Sequence, residues 1–400
     1  MTLVVDNIAE LITNDPELGA GPLGIVPDAS VVVDGGTVLS VGPAGASADR
    51  RIDAGGRCVL PGFVDSHTHL VFAGDRSEEF TRRMAGEPYD GGGIQVTTNA
   101  SRGAGREALR SALARRLVEV HRAGTTTVEI KSGYGLSVDS EVELTALAAE
   151  VSSESTFLGA HLIPGEYQGR ADEYVDLVCG PMLEAVRGHV RWIDAFCETG
   201  AFDADQSRTV LEAGHRAGLG LRLHANQLGH GPGVQLGVGM GCASVDHCTY
   251  LSDDDIEALA ASDTVATFLP ATDFSTRQPY PNARRAIDAG VKVAIASNCN
   301  PGSSYTTSLS FCIALAVRDM HMTIDEALAA VTTGGAAALR RNDVGRISVG
   351  GPAHLTILDA PTRHHLAYRP GVPLIWRTLG ADYLLPNPYE EPNLYEQPND

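Results

Sequence analysis

Between about residues 60 and 340 the chain alternates short, β-rich apolar runs with segments of helical period, and few folds accept that rhythm. The strand candidates are Gly62–Asp65, Thr125–Ile130, Thr156–His161, Trp192–Cys197, Leu219–His224, Ala243–His247, Val265–Leu269 and Val291–Ala296. Between most of them lie helix candidates: Arg106–Arg122, Val138–Glu150, Ala171–Val186, Ser207–Ala217, Asp253–Ala260 and Pro281–Ala289. Thr306–Met320 continues the pattern after the last strand. Strands joined through helices run parallel in one sheet. Eight such units predict a closed (β/α)₈ barrel, for which about 250 residues is typical. An open, doubly wound sheet is the competing arrangement, but no Gly-x-Gly-x-x-Gly follows the first strand.

The two ends read differently. Ala29–Asp34, Gly36–Val41 and Arg57–Leu60 are β-rich pieces set apart by Gly, Pro and Asp. Ala353–Leu358, Leu366–Tyr368 and Pro373–Thr378 repeat that texture near the other terminus. Two β-rich ends around a different middle predict a small β-sandwich domain from residues 1–60 plus 341–400, attached to a barrel at 61–340. The tail from Pro386, rich in Pro, Asn and Glu, has no periodicity and reads as an extended arm or disorder.

Chemically versatile side chains fall at the C-terminal ends of the strand candidates. The first strand runs into Leu60–Leu70, LPGFVDSHTHL. Side chains two apart in a strand share a face, so His67 and His69 present two imidazoles to one side. Alone, such a pair is more often two surface histidines. Here the third, fifth, sixth and eighth strands add His161, His224, His247 and Asn298, all toward the barrel mouth where such enzymes work. His121, His189, His215, His230, His321, His354, His364 and His365 fall elsewhere and read as surface residues. Neutral imidazoles from His67, His69 and His224 suit one Zn or Fe ion with a position left open for water. His161 and His247 are then candidates for moving protons.

Three loops read as substrate contacts. Arg76 could fork a carboxylate, with an ion pair to Glu78 or Glu79 as the competing reading. Lys131–Leu136, KSGYGL, lets backbone approach a ligand and carries Tyr134, whose alternative is packing against the rim. Asn300–Ser304, NPGSS, precedes a helix and could hold an anion through its amides and Asn300, unless it is an ordinary Pro-Gly turn.

A formal net charge of −20 over 400 residues argues against nucleic acid and anionic membranes as partners. An anionic substrate would therefore need a local cation. The 7 cysteines are odd in number, and Cys197 and Cys312 sit in apolar runs, as reduced core cysteines of a cytoplasmic protein would. The first residues, MTLVVDNIAELIT, lack the basic segment of a signal peptide, and no apolar run has membrane-spanning length.

The blocks PGFVDSHTHLVFAGDR, GTTTVEIKSGYGL, TFLGAHLIPGEYQGRADEYVDLV, LHANQL, DHCTYL and NCNPGSS occur in this order. In that order and spacing the chain resembles the imidazolonepropionase family of the metal-dependent amidohydrolase superfamily. The resemblance implies a (β/α)₈ TIM barrel with a β-sandwich from both termini, one Zn or Fe ion and a homodimer. It implies hydrolysis of 4-imidazolone-5-propanoate to N-formimidoyl-L-glutamate in histidine degradation. By motif, metal ligands fall on His67, His69, His224 and Asn298, and substrate contacts on Arg76, Tyr134, His161, Gln227, Asn300, Gly302 and Ser303. His247 matches the histidine that activates water. Two departures stand out. The family places Asp where this chain has Asn298, within SNCNPG. The loop Tyr89–Ile94, YDGGGI, is shorter than the family's. Other amidohydrolase reactions, deamination or hydantoin-type ring opening, are the sibling alternatives. A non-catalytic ligand-binding relative is the alternative that Asn298 raises.

Overall fold

The computed structural model describes residues 1–87 and 93–385, so the shortened loop lies largely outside the described residues and the tail from Pro386 wholly so. Four strands open the chain: β1 (Thr2–Ile12), β2 (Ile25–Asp34), β3 (Thr37–Pro43) and β4 (Arg50–Pro61). The barrel strands are β5 (Phe63–Asp65), β6 (Thr125–Val128), β7 (Ile130–Lys131), β8 (Ser155–Ala160), β9 (Trp192–Cys197), β10 (Gly220–Ala225), β11 (Ser244–His247), β12 (Val265–Phe268) and β13 (Val293–Ile295). The last strands are β14 (Leu355–Leu358) and β15 (Ile375–Leu379).

Both ends of the chain meet in one six-stranded sheet, in the order β15-β14-β4-β1-β2-β3. β1 lies inside it, antiparallel to β2 (Leu3↔Val33) and parallel to β4 (Leu3↔Arg50). The strands expected from β-rich composition begin only at Ala29, yet Val4, Val5, Leu11 and Ile12 are all buried in β1. The expected strand Leu366–Tyr368 is corrected to a single helical turn, His365–Tyr368. Leu366 is buried in the core with Ala367 packed beside it, while Tyr368 stands in solvent, so the segment has no alternating face to pair.

The middle of the chain forms the barrel. Seven strands, β7 to β13, are neighbours in sequence order and parallel, and β5 pairs with β6. β6 and β7 are one expected strand interrupted at Glu129. There the Glu129 amide donates to Asp65 O (2.9 Å), while Thr68 Oγ1 donates to Glu129 O (2.6 Å). The circle closes beyond the strand ends. The Asn298 amide donates to His67 O (3.0 Å) and the His69 amide to Cys299 O (3.0 Å). The closing contact thus runs through the candidate metal ligands. Every expected helix is present, one with a break. Ala171–Val186 contains a π-turn at Val178–Met182, around Pro181, whose missing N–H cannot continue an α-ladder. A continuous apolar core runs from Ile12, Leu60 and Leu358 through Phe157, Ile193 and Phe268 to Leu328, tying the terminal sheet to the barrel.

Candidate active site

At the end of β5 the chain stays extended, and His67 and His69 meet His224 from the end of β10. Ring centroids lie 4.5 Å apart for His67–His224, 5.3 Å for His67–His69 and 5.6 Å for His69–His224. One nitrogen from each ring lies within 4.8 Å of the other two. Nδ1 of His67 donates to Asp246 Oδ2 (2.7 Å) and Nδ1 of His224 to Asp194 Oδ1 (3.1 Å). That choice of donor leaves each Nε2 bare. Neither Nε2 has a hydrogen-bond partner among the described residues, although both atoms are buried. Asn298 adds a third such atom. Its Nδ2 donates to Thr272 Oγ1 (2.8 Å), while its buried Oδ1 has no partner. Buried polar atoms without partners are rare and costly. A cation among these donors would satisfy them, and carboxylates behind ligating histidines are the usual support. The residues present therefore fit a divalent metal.

The supporting carboxylates belong to a buried network that the sequence reading missed. Nζ of Lys131 lies 3.0 Å from Glu129, 2.9 Å from Asp194 and 3.8 Å from Asp246. Arg222 Nη2 adds a contact of 3.1 Å to Asp246. All five side chains are fully buried. A signal was present. Strands of a parallel barrel are covered on both faces, so charges inside VEIK, WIDAFC and LRLH need partners. Asp194 is held below the usual carboxylate range despite its burial, by His224 and Lys131.

The mouth above the cluster holds a narrow cavity of about 20 Å³. It is lined by His69, His161, His224, His247 and Asn298 together with Arg76, Tyr134, Gln227, Asn300 and Ser303. His67 lies beneath. Burial, and then the neighbouring His224, push His161 down to about 3 and also lower His247, so these two are neutral. His161 Nδ1 donates to Gly133 O (2.9 Å), so its Nε2 is an acceptor. Gly133 sits at φ +104, open only to glycine, and its loop folds onto buried Glu141, which accepts from the amides of Gly135 (2.7 Å) and Leu136 (2.9 Å). His247 (φ 84) and Asn298 (φ 52) also have left-handed backbones, a strain typical of functional sites.

Two sequence expectations change in detail. The NPGSS amides are not open to an anion, because Asn300 Oδ1 already accepts from Gly302 N (2.9 Å) and Ser303 N (2.8 Å). Asn300 Nδ2 in turn donates to Asn298 O (2.7 Å), so the loop braces position 298. Arg76 makes the ion pair with Glu79, but as a buried side chain instead of a surface one. It forks Glu79, Nε to Oε2 at 2.8 Å and Nη2 to Oε1 at 2.7 Å, and it also lines the cavity. Gly302 lies against it: a Cβ there would be 2.0 Å from Nη1. Among the remaining histidines, His354 is corrected from surface to buried.

Comparison with known proteins agrees with this geometry. The model of the amidohydrolase family matches residues 58–370. An imidazolonepropionase from Salinispora tropica is 63% identical over 382 residues, covering 94% of this chain and 97% of the relative. One from Mycolicibacterium smegmatis is 58% identical over 376 residues, covering 94% of this chain and 95% of the relative. Among solved structures, a variant of atrazine chlorohydrolase from Arthrobacter aurescens complexed with zinc and atraton superposes with a TM-score of 0.71 at 18% identity, over 95% of both chains. An adenosine deaminase from Xanthomonas campestris with bound zinc gives 0.67 at 19% identity, over 95% of this chain and 92% of the other. At those identities the structural likeness speaks for the fold.

Proposed function

Because the chain belongs to the amidohydrolase family, and within it to the imidazolonepropionases, we propose that the cavity over the three histidines is the hydrolytic centre for a cyclic amide. The enzyme opens the ring of 4-imidazolone-5-propanoate by adding water across an amide C–N bond, giving N-formimidoyl-L-glutamate in histidine degradation. The observation that carries the site assignment is the meeting of His67, His69 and His224 at the barrel mouth, where the buried His67 Nε2, His224 Nε2 and Asn298 Oδ1 have no partner among the described residues.

In this reading His67, His69 and His224, with the Asn298 side-chain oxygen, hold one zinc or iron ion. Such an ion supplies the Lewis acidity that makes water a nucleophile near neutral pH. His247, neutral and with Nδ1 free of partners among the described residues, takes the proton of the attacking water and returns it to the ring nitrogen that leaves. His161 Nε2 accepts a hydrogen bond from a ring N–H. Arg76 receives the propanoate, and Tyr134, Gln227, Asn300, Gly302 and Ser303 complete the walls. No helix among the described residues is long and apolar enough to cross a membrane. With all seven cysteines free, and six of them buried, we place the enzyme in the cytoplasm, as a homodimer. The test is specificity: kcat/KM for the propanoate-bearing ring should exceed that for the same ring without its tail by about tenfold or more. Equal values would remove the carboxylate from the account.

A further inference from the structure

The loop that carries Tyr134 to the cavity has an uncommon backbone. Gly133 (φ 104) and Leu136 (φ 50) are both left-handed, and the second is a leucine. Such residues persist where their surroundings over-determine them. Two charged side chains do so here, one taking the loop's amides and the other its carbonyls. Glu141, fully buried, accepts from the amides of Gly133 (3.2 Å), Gly135 (2.7 Å) and Leu136 (2.9 Å). A Cβ on Gly135 would lie 2.7 Å from Glu141 N, so the loop rests on the first turn of helix Val138–Val151. The carbonyls go to Arg102, on helix Ile94–Gly103. Its Nε donates to Gly135 O and its Nη2 to Leu136 O (2.8 Å). Charge-assisted bonds of this kind are roughly twice as strong as neutral ones. Arg102 also reaches a third segment. Its Nη1 lies 2.8 Å from Glu166 Oε1, on the turn Gly165–Tyr167 that follows β8 and His161. One guanidinium therefore joins the segments after β5, β7 and β8.

We propose that Arg102 is a positioning residue for substrate binding: by forking the carbonyls of Gly135 and Leu136 it fixes the backbone on which Tyr134 meets the ring substrate. The inference rests on the reading of Tyr134 as a wall of the site. The Tyr134 ring sits 5.9 Å from His69 and 5.3 Å from His161 by ring centroids, so a small shift of its backbone changes what it offers a ligand between them. The same loop turns Gly133 O to His161 Nδ1 (2.9 Å). Arg102 does not line the cavity, so it acts through the loop and not by contact. Glu166 orients the guanidinium, and the planar fork supplies both carbonyls at once, which a lysine ammonium does not.

The test is a double-mutant cycle on the full-length, zinc-loaded enzyme with 4-imidazolone-5-propanoate, with metal content measured for each variant. Arg102→Met should raise KM by about tenfold, with kcat within about threefold of wild type and metal content unchanged, because the lost interaction acts on binding. Tyr134→Phe should raise KM by a similar factor. The two together should raise it no more than about threefold beyond Tyr134→Phe alone, since the second change removes what Arg102 places. Arg102→Lys keeps the charge and loses the fork, so its KM should stay raised by about threefold or more. Factors that multiply in the double variant, an unchanged KM or lost metal in Arg102→Met, or an Arg102→Lys equal to wild type would overturn the proposal and leave Arg102 a structural brace. If Arg102→Met does not fold, the same cycle with Arg102→Lys decides. A KM raised by Tyr134→Phe but indifferent to Arg102→Met rejects this inference only. A KM indifferent to Tyr134→Phe rejects the reading of Tyr134 beneath it, and the inference with it.

Discussion

Asn298 lines the cavity beside the imidazoles; its buried side-chain oxygen has no partner among the described residues, and its amide nitrogen donates to Thr272 Oγ1, 2.8 Å away. An aspartate would fit the same place. Asn and Asp both tolerate the left-handed backbone found here, φ 52, and the Thr272 hydroxyl can rotate to donate. The difference between them is charge and basicity. The amide offers the cation a neutral oxygen and takes no proton, which leaves proton transfer to His247. A positioned acid–base group is worth about 10²–10⁴ in rate. We therefore expect Asn298→Asp to raise kcat with KM little changed, when both forms are assayed at saturating metal. An equal or lower kcat would mean that this chain's proton path already runs without a carboxylate at 298. Position 298 was legible because it ends the eighth strand in an NPG context. For Asp194, Asp246 and Lys131 the sequence signals only that a charge within a covered strand needs a partner; which partner it meets depends on how the barrel closes.

Elements were legible in proportion to their period. The helix Arg106–Arg122 and the strand Trp192–Cys197 were read to their ends, since each shows an unbroken pattern. The helices Ser77–Met84 and Ile94–Gly103, after β5, were missed; they are short and mostly polar, and they form because the mouth needs covering. The network of Lys131 joins β7, β9 and β11 and so aligns the histidines of two strands. Asp194→Asn should weaken metal retention by about 10–100-fold, read by chelator competition. Unchanged retention would show that His224 is oriented without it. Just before β14 of the terminal sheet, His354 is pushed down to about 4 by burial and then by Arg341. Unfolded, a histidine titrates near pH 6.5. Between these values the unfolded chain binds a proton that the folded chain refuses, so stability is full above about pH 6.5 and falls as the pH drops toward 4. His354→Gln should flatten that slope by about 1–2 kcal/mol between pH 7 and pH 5 in urea unfolding. Parallel slopes would place the titration elsewhere.

At the scale of the whole molecule, the barrel was read from rhythm alone, and the joining of the termini from matching texture. β1 escaped because its run, TLVVDNIAELI, carries a register shift between Val5 and Ile8 that blurs the alternation. Assembly leaves no trace in one chain. Light scattering at micromolar concentration should return twice the chain mass, and a monomer would remove the homodimer. The central claim is that three histidines at strand ends make this barrel a metal-dependent ring-opening hydrolase. The measurement that reaches it most directly follows 4-imidazolone-5-propanoate by mass spectrometry, with wild type and His224→Ala, each with its metal content determined. Wild type should hold about one zinc or iron per chain and gain one water on every substrate molecule, while His224→Ala loses most of both metal and turnover. Full metal content and undiminished turnover in His224→Ala, or no product from fully loaded wild type, would contradict the account.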